Sequence, residues 1–204
     1  MFNKYLTPSE QRSLLATIKK HKALDAQRDA AWMELAVYTG IRVSPLTKLT
    51  VGDARRALAS KRFVIRAEIN KRHVKSENAL HRNTEDALRD LLKIRAQMGC
   101  DNSDFDAPLL VSIKGKRDKL QPLTPRALQI AMRKWARLAG LACAEEITPH
   151  WLRHTLAKRI IASSTSNNPL GIVRAVLGHK SIATTAIYVE PDKDEVDSAI
   201  LEVA

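Results

Sequence analysis

Apolar residues recur along this chain mostly at helical spacing, and several of the helices they imply have a marked starting point. At five places a hydroxyl or amide side chain stands directly before proline, pairing an N-cap oxygen with the one helical position that proline favours. Thr7-Pro8 predicts the first helix, with Glu10 completing a capping box and Leu14, Leu15 and Ile18 forming an apolar face. Ser44-Pro45 predicts a short helix. Thr124-Pro125 predicts a longer one, with Leu128, Met132, Trp135 and Leu138 as its core face and Gly140 as its end. Thr148-Pro149 and Asn168-Pro169 open two more, the second closed by Gly178. The run AAWMELAVY from Ala30 to Tyr38 reads as a further helix stopped by Gly40, which leaves Arg42 just beyond a helix end.

One stretch alternates instead. In KRFVIRAEI, Phe63, Ile65 and Ala67 interleave with Val64, Arg66 and Glu68, and β-branched residues are enriched, which predicts a strand. The turn NKRHVK and a weaker strand SENALH follow, and PLLVS from Pro108 is expected to add a third strand. The predicted fold class is therefore mainly α with a small antiparallel β-sheet (α+β). No internal repeat or low-complexity segment interrupts it, and SSTSNNP at Ser163 reads as an exposed loop.

Length and charge narrow the function. The 204 residues suit one substantial core. Lysine and arginine number 34 against 22 acidic residues, a net charge of +12, which makes a polyanion the first partner to consider. The excess is uneven: residues 190–204 carry six acidic residues and only Lys193, leaving +17 on residues 1–189. No apolar run approaches the ~20 residues of a membrane span, and MFNKYLTPSEQ lacks the apolar core of a signal peptide, so no membrane partner and a cytoplasmic location are expected. Cys100 and Cys143 are far apart and in no metal-ligand spacing, which favours neither a disulfide framework nor a zinc site.

Candidate chemistry gathers late in the chain. After Thr148-Pro149, residues His150, Arg153 and His154 share one helical face. A third histidine, His179, follows Gly178, and Tyr188 lies nine residues beyond it. Arginines, histidines and a tyrosine suit a phosphodiester. Guanidinium forks bind nonbridging oxygens, imidazoles move protons, and a phenol can attack phosphorus without a metal.

Taken in order, TGIRVSPLTKLTVGD, HWLRHT and LGHKSIATTAIY resemble the three signature segments of the tyrosine recombinases, the phage-integrase superfamily. The resemblance covers residues 6 to 190. It implies that Tyr188 is the nucleophile, carried by a short helix starting near Ser181, and that Arg42 and Arg153 clamp the scissile phosphate. It implies further that His150 accepts the tyrosine proton and that His179 hydrogen-bonds a phosphate oxygen. His154 is expected to be structural. The family also places a general-acid lysine in the turn of the small sheet. Here Lys71 is the first choice and Lys75 the second.

The implied reaction is DNA strand exchange through a covalent 3′-phosphotyrosine, with no cofactor, ATP or metal. A type IB topoisomerase-like relaxation and a catalytically silent DNA-binding module are the alternatives. The implied partners are double-stranded DNA, further copies of the chain in a dimeric or tetrameric synapse, and an accessory DNA-bending protein, with the enzyme associated with the nucleoid. Pro45 replaces an acidic residue common three places after the first arginine, and ENAL replaces the usual end of the hairpin. The whole chain, 1–204, is expected to form a single catalytic domain with an acidic tail from 190 to 204 and no N-terminal core-binding domain.

Overall fold

The computed structural model describes residues 4–70, 73–112, 121–178, 185 and 193–203. Its centre is helix α2 (Leu24–Thr39), eleven of whose sixteen residues are buried, as expected of a helix enclosed on most sides. Around it pack α1 (Pro8–Lys19), α5 (Arg82–Gln97), α6 (Pro125–Leu138) and α7 (Pro149–Ser163). Two short helices, α3 (Val43–Thr47) and α4 (Val51–Ser60), lead from α2 to the hairpin β1 (Arg62–Ile65) and β2 (Ser76–Ala79), and α8 (Pro169–Leu177) packs on α7. The fold is mostly helical with one small antiparallel sheet, as the alternation predicts.

Four of the five proline-marked starts open helices as expected, three of them with the side-chain cap. Thr7 and Glu10 form a reciprocal capping box on α1, and Thr124 and Asn168 accept from the third residues of α6 and α8. Thr148 is the N-cap of α7 by position, without a side-chain cap bond. The fifth expectation needs correction. The extended residue before α3 is Arg42, and Ser44 lies inside the helix.

Two helices had no predicted counterpart. In α4 the cap is a Thr50–Asp53 box, and in α5 His81 Nδ1 accepts from the Asn83 N–H at 3.1 Å. Leu138, assigned to the core face of α6, is exposed.

The hairpin is shorter than KRFVIRAEI suggests. Arg62 to Ile65 pair with Ala79 to Ser76. The chain then turns, with the Asn70 N–H donating to the Arg66 carbonyl at 3.1 Å. PLLVS forms no strand. Leu109, Leu110 and Val111 are all buried, and the bridges Thr50–Pro108 and Val111–Pro122 stop at prolines, which have no N–H to extend a ladder. The segment's backbone is satisfied by loops instead: Leu109 N–H donates to Leu49 O at 2.8 Å, and Leu110 O accepts from Leu123 N–H at 2.9 Å.

A buried polar hub fixes the core's geometry. Asp29 accepts from Arg28 and from the indole N–H groups of Trp32, at 3.2 Å, and Trp135, at 2.8 Å. Arg28 also donates to Val111 O at 3.0 Å. One carboxylate thereby ties α2 to α6, and its arginine partner ties α2 to the 108–111 segment. Both charged groups of this hub are paired, as burial of a charge requires.

Candidate active site

The site grows from the end of α2. Gly40 adopts φ +62, a left-handed cap that favours glycine. A Cβ there would also stand 2.6 Å from Leu177 Cδ2 and 3.0 Å from Leu156 Cδ2, so α7 and α8 close directly on the glycine. The chain leaves the cap in extended form, and Arg42 becomes the N-cap of α3, half-buried.

Arg153 comes to the same place from α7. Its guanidinium is buried and donates to the carbonyl oxygens of Gly40 and Leu177, which fixes it between the ends of α2 and α8. Asn78 of β2 donates to Val176 O at 3.3 Å and ties the hairpin to the same helix end. Gly178, at φ +63, ends α8 immediately before His179.

Arg42 and Arg153 both line a cleft of about 240 Å³, closed by residues 74–77 of the hairpin and by the end of α8. A second cleft of about 650 Å³ adjoins it and shares Arg42, Pro45 and Asn70; His150 lines this one. His150 is exposed at the start of α7. Partial burial among its neighbours, followed by the positive charges of Arg153 and Arg42, lowers its pKa below the ordinary 6.5. The neutral imidazole, the form able to accept a proton, is thereby favoured. His154 meets it edge to face with ring centroids 4.5 Å apart, a packing role consistent with the sequence expectation.

The structure thus brings Arg42, Arg153 and His150 together. Lys71, His179 and Tyr188, and the helix expected from Ser181, lie outside the described residues. Lys75, the second choice for general acid, lines the smaller cleft but pairs with Glu77 at 2.7 Å, and Arg62 holds the same carboxylate at 3.0 Å. These contacts, the Lys75 hydrogen bond first, lower the Glu77 pKa.

The other tyrosines are engaged elsewhere. Tyr38 stacks on His81 at 4.9 Å with Arg159 at 5.5 Å from its ring, and Tyr5 lies under Lys158. Neither lines the two clefts. Among the described residues no three His, Cys, Asp or Glu side chains cluster as metal ligands, and no helix is long and apolar enough to cross a membrane. Lys48 and His73, which line the larger cleft, were not singled out in the sequence. Lys48 does lie within TGIRVSPLTKLTVGD and His73 within the hairpin turn, the local signal that points to them.

A sequence model described as the phage integrase family matches residues 4–195. The chain belongs to the phage integrase family. Among similar proteins, "Tyrosine recombinase XerC" of Shewanella amazonensis is 35% identical over 167 residues, 82% of this chain and 50% of that protein. The chain spans about half the length of such relatives. The fold of this phage integrase family member is that of the crystal structure of XerA recombinase, with TM-score 0.73 and 24% identity over 99% of this chain and 66% of that one. It is also that of XerH site-specific recombinase bound to palindromic difH substrate, a post-cleavage complex, with TM-score 0.71, 23% identity, and 98% and 52% coverage.

Proposed function

We propose that residues 1–204 form the catalytic domain of a site-specific DNA recombinase that cleaves and rejoins DNA through a covalent 3′-phosphotyrosine at Tyr188. The observation that carries this reading is the convergence of two arginines from distant segments, Arg42 and Arg153, on one cleft, with the neutral His150 beside them.

In this reading the scissile phosphate lies in the smaller cleft. Arg42 and Arg153 balance the charge that builds on its nonbridging oxygens as the phosphorus becomes pentacoordinate. The Arg153 guanidinium is already fixed by two carbonyls, so little reorganisation accompanies the transition state. His150 takes the Tyr188 hydroxyl proton as the phenolic oxygen bonds to phosphorus, and His179 donates to a phosphate oxygen. The bond to the 5′-oxygen breaks, and Lys71 protonates that oxygen as it leaves as a 5′-hydroxyl. Attack by a partner strand's 5′-hydroxyl reverses these steps on new ends, conserving bond energy, so the reaction draws on neither ATP nor a metal.

Double-stranded DNA is the substrate, and copies of the chain assemble on it. An accessory bending protein and nucleoid association in the cytoplasm complete the proposal. The test is covalent capture. On a nicked suicide duplex the protein is expected to become attached to DNA, and Tyr188→Phe is expected to bind without attaching. Attachment that survives in Tyr188→Phe overturns the assignment.

A further inference from the structure

Besides Arg42 and His150, the larger cleft is lined by residues that the phosphoryl-transfer chemistry does not use. Val43, Pro45 and Ile69 give it an apolar part, and Lys48 and His73 line it as well. Glu68 is the one acid among the residues that line it. The hairpin's other described cations are engaged: Arg62 and Lys75 with Glu77, and Arg66 with Asp53. Among the described residues, the Lys48 ammonium and the His73 ring make no hydrogen bond or ion pair.

His73 is also held in an unusual conformation. Its φ of +52 is in the left-handed region, uncommon for a residue other than glycine. The turn enforces it: His73 N–H donates to Asn70 O at 2.9 Å, and Asn70 Nδ2 donates to Val74 O at 2.7 Å. Strain of this kind persists where the surrounding structure over-determines it, and here it holds His73 at a cleft wall.

We propose that this cleft is a nucleotide-sized subsite beside the scissile phosphate, in which Lys48 and His73 take a neighbouring backbone phosphate and the apolar residues Val43, Pro45 and Ile69 take its sugar. The proposal rests on the DNA-cleavage reading above. The cleft's volume, about 650 Å³, exceeds what a phosphate alone requires, and its apolar lining residues suit a deoxyribose rather than an ion. The two clefts share the wall of Arg42, Pro45 and Asn70. Successive phosphates of a strand are separated by more than their axial rise of about 3.4 Å, because they also turn around the duplex axis, and a strand running along the shared wall would carry the phosphate next to one held by Arg42 into the adjoining cleft.

The experiment replaces the phosphates flanking the cleavage point, one at a time, with neutral methylphosphonate in a half-site duplex. The parent protein is expected to lose about 10-fold in affinity at one flanking position, the scale of one charge-assisted contact. Lys48→Ala and His73→Gly are each expected to bind the unmodified duplex more weakly and to lose less than the parent at that same position, and the double variant nothing further. Glycine adopts the left-handed turn without strain, so His73→Gly keeps the loop. Variant and methylphosphonate losses that multiply at every position, or variants that bind as the parent does, overturn the subsite. Suicide-duplex capture of the parent in parallel separates the two readings. Capture with multiplying losses removes the subsite alone, whereas absence of capture removes the cleavage reading and the subsite with it.

Discussion

An imidazole that collects a proton from a phenol near neutrality has to begin uncharged, and His150 meets that condition through its surroundings. Partial burial and the two cationic arginines lower its pKa, and its place in the first turn of α7 adds the positive end of a helix dipole. Cleavage should therefore fall as pH drops through a value below 6.5, where His150 becomes protonated and cannot accept, and should be level on the alkaline side. Single-turnover capture measured from roughly pH 5 to 8 checks this. His150→Gln is expected to slow cleavage by about 10² and to erase the acid limb. An unchanged limb in that variant would assign the titration to another group. At this scale much of the site was legible in the sequence, because Arg42, His150 and Arg153 sit in short motifs whose spacing places them on helix ends and faces. Lys48 and His73 were not, because only the approach of α3 to the hairpin turn brings them to one cleft. The engagement of Lys75 by Glu77, by contrast, is a local contact, because residues two apart share one face of an extended chain.

Among the elements, the junction of α2, α7 and α8 matters most, because it holds Arg153 by two helix-end carbonyls. Gly40→Ala places a methyl group against Leu177 and Leu156 in a left-handed backbone, and is expected to destabilise the fold by about 1–3 kcal/mol. Because the same methyl displaces α8 from Arg153, cleavage should fall by more than the lost stability explains. Denaturant midpoints read beside single-turnover rates test both parts, and a variant with the parent's stability would show that the junction has slack. Helix starts marked by proline were readable because cap and proline act locally. The starts of α4 and α5 lack proline, and the second uses an imidazole as its cap, outside the usual hydroxyl and carboxylate set. A short apolar run such as PLLVS fits a buried loop as well as a strand, and here Pro108 and Pro122 sit in the two isolated bridges that the segment makes.

At the scale of the whole molecule, the charge on residues 1–189 is +17, and a surface of that sign binds a duplex by releasing counterions. Log affinity for DNA should fall linearly with log salt, by about 0.9 per phosphate neutralised. A flat response in filter binding or anisotropy would remove the nucleic-acid reading. The acidic tail behaves differently. Its helix, Lys193–Leu201, exposes Val196, Ile200 and Leu201, an apolar set suited to a second copy of the chain. Deleting residues 192–204 should weaken the pairing of two DNA sites while leaving binding to one site intact, as gel mobility of the two complexes would report. Unchanged pairing would exclude the tail as a contact.

The Asp29 hub has an optical consequence. The chain has three tryptophans, and two of them, Trp32 and Trp135, donate to this one carboxylate. The third, Trp151, is buried beside His150 in the first turn of α7. Intrinsic fluorescence is therefore divided by place: one pair of emitters senses whether α2 and α6 remain docked, and the single emitter senses the site helix. Replacing Trp151 with phenylalanine leaves a signal that follows the α2–α6 contact alone, and the difference from the parent isolates what α7 does.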